Sequence, residues 1–288
     1  MKSLILDLGS NCGASLDYYM LKADLVVAVE ANPILCWRMK ESFSASIQQG
    51  RLVIENCVVT EESDEEEVIF YIHKTHSPLS QFMKPDADKS DEFEEVRVTT
   101  KSVGQLIRAY GMPIYIKIDL ERYDRYILRS ILTNRTLPQY ISVEIHDLMV
   151  VDLLLGCGFY NAFKLVDGRS VHIQYRKCVI TPYNHLSSPT TVSFPRYSSG
   201  PFGDDLHGEW MDKDTIRKAI LLEGLGWKDL HATIIPNNEA YQYQSLFRYL
   251  LNRMIIEMRF IYSLLFDAIS SSWCRLFGAS TMRDVARR

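Results

Sequence analysis

Four positions in the first thirty residues offer chemistry: Asp7, Gly9, Gly13 and Glu30. Leu4-Ile5-Leu6-Asp7-Leu8 is an apolar run that breaks into Gly9-Ser10-Asn11-Cys12-Gly13, and Leu25-Val26-Val27-Ala28-Val29 is a second apolar run that ends on Glu30. The order strand, tight turn, helix, strand, carboxylate suits a nucleoside-bearing cofactor. Glycines let backbone approach a ligand, and a helix N-terminus presents free N–H groups. An acid at the tip of the second strand can accept both ribose hydroxyls.

The turn narrows the choice of cofactor. A dinucleotide site needs G-x-G-x-x-G; this chain has Asp7-x-Gly9-x-x-x-Gly13, and no Gly-Lys-Ser/Thr follows to cradle phosphates. A carboxylate at Asp7 repels a pyrophosphate but suits the cationic end of S-adenosylmethionine. A nicotinamide oxidoreductase is disfavoured on the same spacing. The expected cofactor contacts are Asp7, Gly9, Ser10, Asn11, Gly13 and Glu30. Asn56 and Cys57 join them from the end of a third strand, where an adenine-contacting segment falls, and Asp119 from the end of a fourth.

Those residues need a sheet to hold them. Residues 3–8, 25–30 and 51–59 read as strands, with helices marked by Leu16, Tyr19, Met20 and Ala23 and by Leu35, Met39 and Phe43. The run Pro113–Ile118 is a fourth central strand ending on Asp119, and Tyr140–Ile145 a fifth ending on His146 and Asp147. Ligands bind at the carboxyl ends of parallel strands, so Asp119 faces the same crevice as Gly9 and Glu30. Phe159–Val166 and Ser170–Ile180 flank Asp167-Gly168, a hairpin-turn signal. The expected fold class is therefore α/β, a Rossmann-like, mostly parallel sheet with a closing antiparallel hairpin.

Residues 1–235 form the expected main domain, with an acidic hairpin insertion over 61–99. Ser199–Asp205, rich in glycine, is expected either to act as a lid over the acceptor or to be a static surface loop. From 241 to 288 the character changes. Phe247, Leu250, Leu251, Met254, Met258, Ile261, Leu265, Ile269, Trp273 and Leu276 recur at three and four, the pattern of a long amphipathic helix. Residues 248–288 carry seven Arg and no Lys against three acids, a net of +4, which leaves −8 on the rest of a chain of net −4. This helix is expected to pack on its own domain, to form a homo-oligomer, or to touch a membrane surface.

The overall charge gives no electrostatic case for a nucleic-acid partner. The six cysteines are scattered without a C-x-x-C pair, as in a reducing compartment. No apolar run reaches the ~18 residues of a membrane span, and the opening run is too short for a signal peptide. The expected location is cytoplasmic, with peripheral membrane contact as the alternative.

Taken together, Leu6–Gly13, Val29-Glu30-Ala31-Asn32-Pro33, Ile116-Lys117-Ile118-Asp119-Leu120-Glu121 and Val143-Glu144-Ile145 resemble the FkbM-type family of S-adenosylmethionine-dependent methyltransferases. The resemblance covers residues 4–235. That family typically has a glycine after the Glu of the fourth-strand motif, where this chain has Arg122. The resemblance implies a class I methyltransferase fold and O-methylation of a sugar, glycan-linked or other small-molecule hydroxyl. On that reading Asp119 or His146 accepts or orients the hydroxyl proton. Asp119, Glu144, His146 and Asp147 hold the ligand types a hard cation takes, but their spacing fixes no coordination sphere and no metal centre is assigned. The non-enzymatic alternative is a degenerate cofactor-binding scaffold.

Overall fold

The structure is a computed structural model and describes residues 2–62, 67–183, 188–235 and 242–277, without the side chains of residue 263 and of residues 266–277. Two compact units are present, Met1–Gln244 and Ser245–Arg288.

In the first unit a seven-stranded sheet is built from β1 (Leu4–Leu8), β2 (Leu25–Glu30), β3 (Leu52–Asn56), β7 (Tyr115–Ile118), β8 (Tyr140–Glu144), β9 (Ala162–Asp167) and β12 (Lys228–Thr233). Between β3 and β7 lie β4 (Val58–Thr60), β5 (Glu67–His73) and β6 (Phe93–Ser102), and between β9 and β12 lie β10 (Cys178–Ile180) and β11 (Thr190–Val192). The helices in chain order are α1 (Leu16–Lys22), α2 (Pro33–Ser42), α3 (Ser44–Gln48), α4 (Val103–Tyr110), α5 (Asp124–Thr133), α6 (Leu148–Gly156), α7 (Val171–Gln174), α8 (Lys213–Glu223) and, in the second unit, α9 (Leu246–Phe277).

The strand order is β3-β2-β1-β7-β8-β12-β9. Every pairing from β3 to β8 is parallel, and β12 runs antiparallel to both neighbours. This is a Rossmann-like α/β topology, a mostly parallel sheet with one antiparallel strand. All five residues of β1 are buried, as a central parallel strand covered on both faces requires. The order reverses between β1 and β7, so a crevice opens at their carboxyl ends.

The antiparallel closure differs in its parts from the expected one. β9 pairs not with Ser170–Ile180 but with β12, some sixty residues on. Asp167 instead caps a short helical turn, accepting the Arg169 N–H at 3.0 Å, and β10 pairs with β11. The insertion is a hairpin of β5 and β6, with β6 also parallel to β4; residues 63–66 of its acidic run lie outside the described residues.

The lid expectation is corrected. Phe202 is buried and stacks on Tyr115 with centroids 4.0 Å apart, and Asp205 accepts from Tyr18 Oη at 2.8 Å and pairs with Lys22 at 2.9 Å. The glycines of this loop serve close packing: a Cβ on Gly203 would sit 3.1 Å from the Tyr140 ring. Opening it would expose part of the aromatic core.

Candidate functional site

At the switch point Leu8 pairs with Ile118, and the Asp119 N–H donates to Leu8 O at 3.0 Å. The chain leaves β1 through Gly9 at φ +86, where a Cβ would lie 1.7 Å from Asp119 O. Only glycine fits this position, because another strand end occupies the space a side chain would need. Gly9 and Ser10 N–H groups both donate to Val29 O, at 2.9 and 3.0 Å, which folds the turn onto β2.

Glu30 is held by backbone on both sides. Its Oε2 accepts the Asn11 N–H and its Oε1 the Asn32 N–H, each at 2.8 Å. Asn11 adopts φ +49 to make this contact, and Asn32 caps α2 by accepting the Ile34 N–H at 3.0 Å. Each carboxylate oxygen keeps a further lone pair. Burial pushes Glu30 up to about 6, against the two N–H groups that favour its ionised form.

Asp7, Gly9, Ser10, Asn11, Glu30, Cys57, Asp119 and His146 all line one cavity of about 640 Å³. Gly13 and Asn56 are not among its lining residues, and both hold neighbouring backbone. Gly13, at φ +77, closes the turn by donating to Ser10 O at 2.8 Å. Asn56 Nδ2 ties down Glu30 O and Ala31 O at 3.0 and 2.9 Å.

Beneath the turn lies Lys117, a buried cation in the middle of β7. Its Nζ is 2.9 Å from Asp119 Oδ2, 3.1 Å from Gly9 O and 3.6 Å from Asp7 Oδ1. Burial acts to lower its pKa, but Asp119, Asp7 and Asp229 overcome this and hold it above the ordinary lysine value. The same charge keeps Asp119 below the usual carboxylate range against the pull of burial. Asp7 is raised by burial, which Lys117 only partly offsets, and its Oδ1 has no hydrogen-bond partner.

Next to Asp119 stands a chain of acids and one imidazole. Glu144 is buried, and its Oε2 lies 2.9 Å from His146 Nε2, which is 3.8 Å from Glu121 Oε2. Burial and the Asp119 and Asp229 charges push Glu144 well above the usual carboxylate range, and burial with Asp119 pushes Glu121 up to about 8. Burial lowers His146 below the usual histidine value, so its ring is neutral near pH 7. Glu144 therefore keeps a proton that it can share with Asp119.

Ligand atoms of Glu121, Glu144 and His146 lie within 4.8 Å of one another, and these three could hold a divalent cation. Asp147, grouped with them in the sequence, is turned away: it caps α6 by accepting the Val150 N–H at 3.1 Å and faces Arg125 at 3.4 Å.

Glu121 owes its place to an unusual backbone. Glu121 and Arg122 have φ +44 and +72, the left-handed region that favours glycine. The loop keeps the conformation a glycine would take, although Arg122 stands there, with strain of about 1–2 kcal/mol per residue. Asp124 steadies the loop by accepting the Leu120 N–H at 2.8 Å.

Several wall residues had no signal of their own in the sequence. Val58, Val59 and Phe70 give apolar lining with Cys57, and Tyr197 and Trp227, nearly parallel at 6.0 Å, also line the cavity. Gly168 seats that indole, since a Cβ there would meet Trp227 Nε1 at 2.3 Å. Lys117 did carry a signal: a lysine inside Ile114–Ile118 must be paired if the strand is central.

No protein-family profile and no curated protein matches this chain. It is similar to the solved structure of methyltransferase FkbM from Methylobacillus flagellatus, at 15% identity and TM-score 0.39, over 57% of this chain and 40% of that one. It is also similar to the methyltransferase domain of bacterial CtHen1, at 11% identity and TM-score 0.27, over 81% of this chain and 91% of that one. A third is Haemonchus contortus phosphoethanolamine N-methyltransferase 1, solved with phosphoethanolamine and S-adenosylhomocysteine, at 10% identity and TM-score 0.26, over 96% and 46%.

Proposed function

We propose that this chain is an S-adenosylmethionine-dependent methyltransferase acting on a hydroxyl oxygen of a sugar, glycan or other small molecule. The observation that carries this reading is the polarity of the switch-point cavity. Asp7, Glu30 and Asp119 line it against one lysine that is already engaged by Asp7 and Asp119, while Glu121 and Glu144, pushed up by burial, hold protons beside them. Such walls repel a pyrophosphate and attract a sulfonium and an ammonium group.

The residues fit the cofactor part by part. Glu30 has spare lone pairs for two ribose hydroxyls, and the tight approach at Gly9 leaves backbone facing the ligand. Cys57, Val58 and Phe70 offer apolar contact to a flat base. The orphaned Oδ1 of buried Asp7 suits a cationic end, directly or through water.

When bound, S-adenosylmethionine supplies an electrophilic methyl carbon. The chain's task is to hold an acceptor oxygen at near-attack distance and take its proton as the O–C bond forms and the C–S pair leaves with sulfur. Neutral His146 can receive that proton, with Glu144 orienting its ring. Asp119, kept ionised by Lys117, can orient the hydroxyl.

The test follows labelled methyl groups from S-adenosylmethionine into a sugar-containing extract. Transfer is expected with the natural chain. Asp119→Asn and His146→Ala should each lower it by about 100-fold, the range of a lost acid–base group. His146→Ala should leave thermal unfolding nearly unchanged, whereas Asp119→Asn should also lower the unfolding temperature by taking the carboxylate from buried Lys117. Cofactor binding without any transfer would instead identify a scaffold. Full transfer by both variants would remove them from the chemistry.

A further inference from the structure

We propose that α9 seats this chain on an anionic lipid bilayer, lying in the headgroup plane. Phe247, Leu251, Met254, Met258, Ile261 and Leu265 recur at four and three along the helix, and all are exposed. Leu250, Ile255 and Tyr262 are exposed beside them, which widens the stripe to an arc of about 140° at 3.6 residues per turn. A two-stranded coiled coil uses a narrower seam, flanked by charged residues. Of the six flanking positions here, Leu250, Ile255, Tyr262 and Leu264 are apolar and only Arg248 and Glu257 are charged, so the face is broader than a two-helix seam and suited to a lipid boundary.

Charge points the same way. Arg248 and Arg259 are exposed and project just beyond the Ile255 edge of the stripe, where a helix lying flat meets headgroups. Glu257 stands just beyond the Leu250 edge, where it is paired with Arg253 at 2.7 Å. Residues 248–288 carry a net +4, against −8 on the rest of the chain. Within α9 four Arg stand against two acids, a net of +2, and anionic lipid attracts arginine and accepts the apolar stripe at once. Among the described residues no helix is long and apolar enough to cross a membrane, so the contact is peripheral.

The test is flotation of the full chain with vesicles of mixed phosphatidylglycerol and phosphatidylcholine, and with phosphatidylcholine alone. Partition should be at least about tenfold stronger on the anionic vesicles and should fall at high salt. Met254→Glu with Met258→Glu should abolish it, and Arg248→Glu with Arg259→Glu should weaken it to the neutral-vesicle level. These side chains are exposed, so the variants should match the natural chain in thermal unfolding. Equal recovery on neutral vesicles, or none on either, overturns the proposal. So does a dimer in sedimentation velocity that the Met254→Glu, Met258→Glu variant dissolves while vesicles recover nothing.

Discussion

Gly9→Ala should abolish cofactor binding, with S-adenosylhomocysteine bound at least about 100-fold more weakly, or about 2.8 kcal/mol. Two causes act together. The residue sits at φ +86, which costs an L side chain about 1–2 kcal/mol. The added methyl would lie 1.7 Å from Asp119 O, a backbone atom that cannot rotate away. Relief requires β1 and β7 to part where the Asp119 N–H meets Leu8 O, and that displaces Asp119 from Lys117. Titration of the purified variant, with thermal unfolding beside it, checks this. Binding within threefold of the natural chain would show that the turn is not the ligand's seat.

Lys117→Met should be the most destabilising substitution in the cavity, by about 3 kcal/mol or more, because it removes one partner of a buried ion pair. Asp7, already raised by burial, loses its nearby cation, and Asp119 loses the charge that keeps it ionised. For a chain of this size the loss corresponds to a fall of roughly 6–12 °C in Tm. A double variant with Asp7→Asn should recover part of it, since the methionine then buries against a neutral amide. A Tm unchanged by Lys117→Met would mean that the lysine carries no buried charge.

These effects centre on residues that the sequence exposed unequally. The turn from Leu4 to Glu30 was legible because strand period, glycine spacing and terminal acid are local properties. Lys117 was visible as an ion in an apolar strand with Asp119 two residues on, but Asp7 as its second partner was not, because it lies over a hundred residues away. β12 was hidden for a related reason. Lys228, Asp229 and His231 make it read as surface, yet all three are buried. Asp167-Gly168 misled in the opposite sense. It is a good local turn signal, but the register of β9 is set by a distant strand. The glycines of Ser199–Asp205 suggested motion, whereas Phe202 makes that loop part of the core. Cavity walls such as Phe70, in β5, and Tyr197 and Trp227, in two separate loops, are distant in the chain, and periodicity does not bring such segments together.

Titration calorimetry with S-adenosylhomocysteine and with NAD, on the natural chain and on Glu30→Ala, bears most directly on the site. One molecule of S-adenosylhomocysteine per chain should bind at pH 7.5, and NAD should give no heat. Below about pH 6 binding should weaken, because Glu30 then takes up a proton and loses its second ribose acceptor. Glu30→Ala should bind at least about tenfold more weakly at pH 7.5, the loss of about one charge-assisted hydrogen bond. Heat with NAD but none with S-adenosylhomocysteine, or unchanged binding by Glu30→Ala, would contradict a sulfonium donor seated between the Gly9 turn and the end of β2.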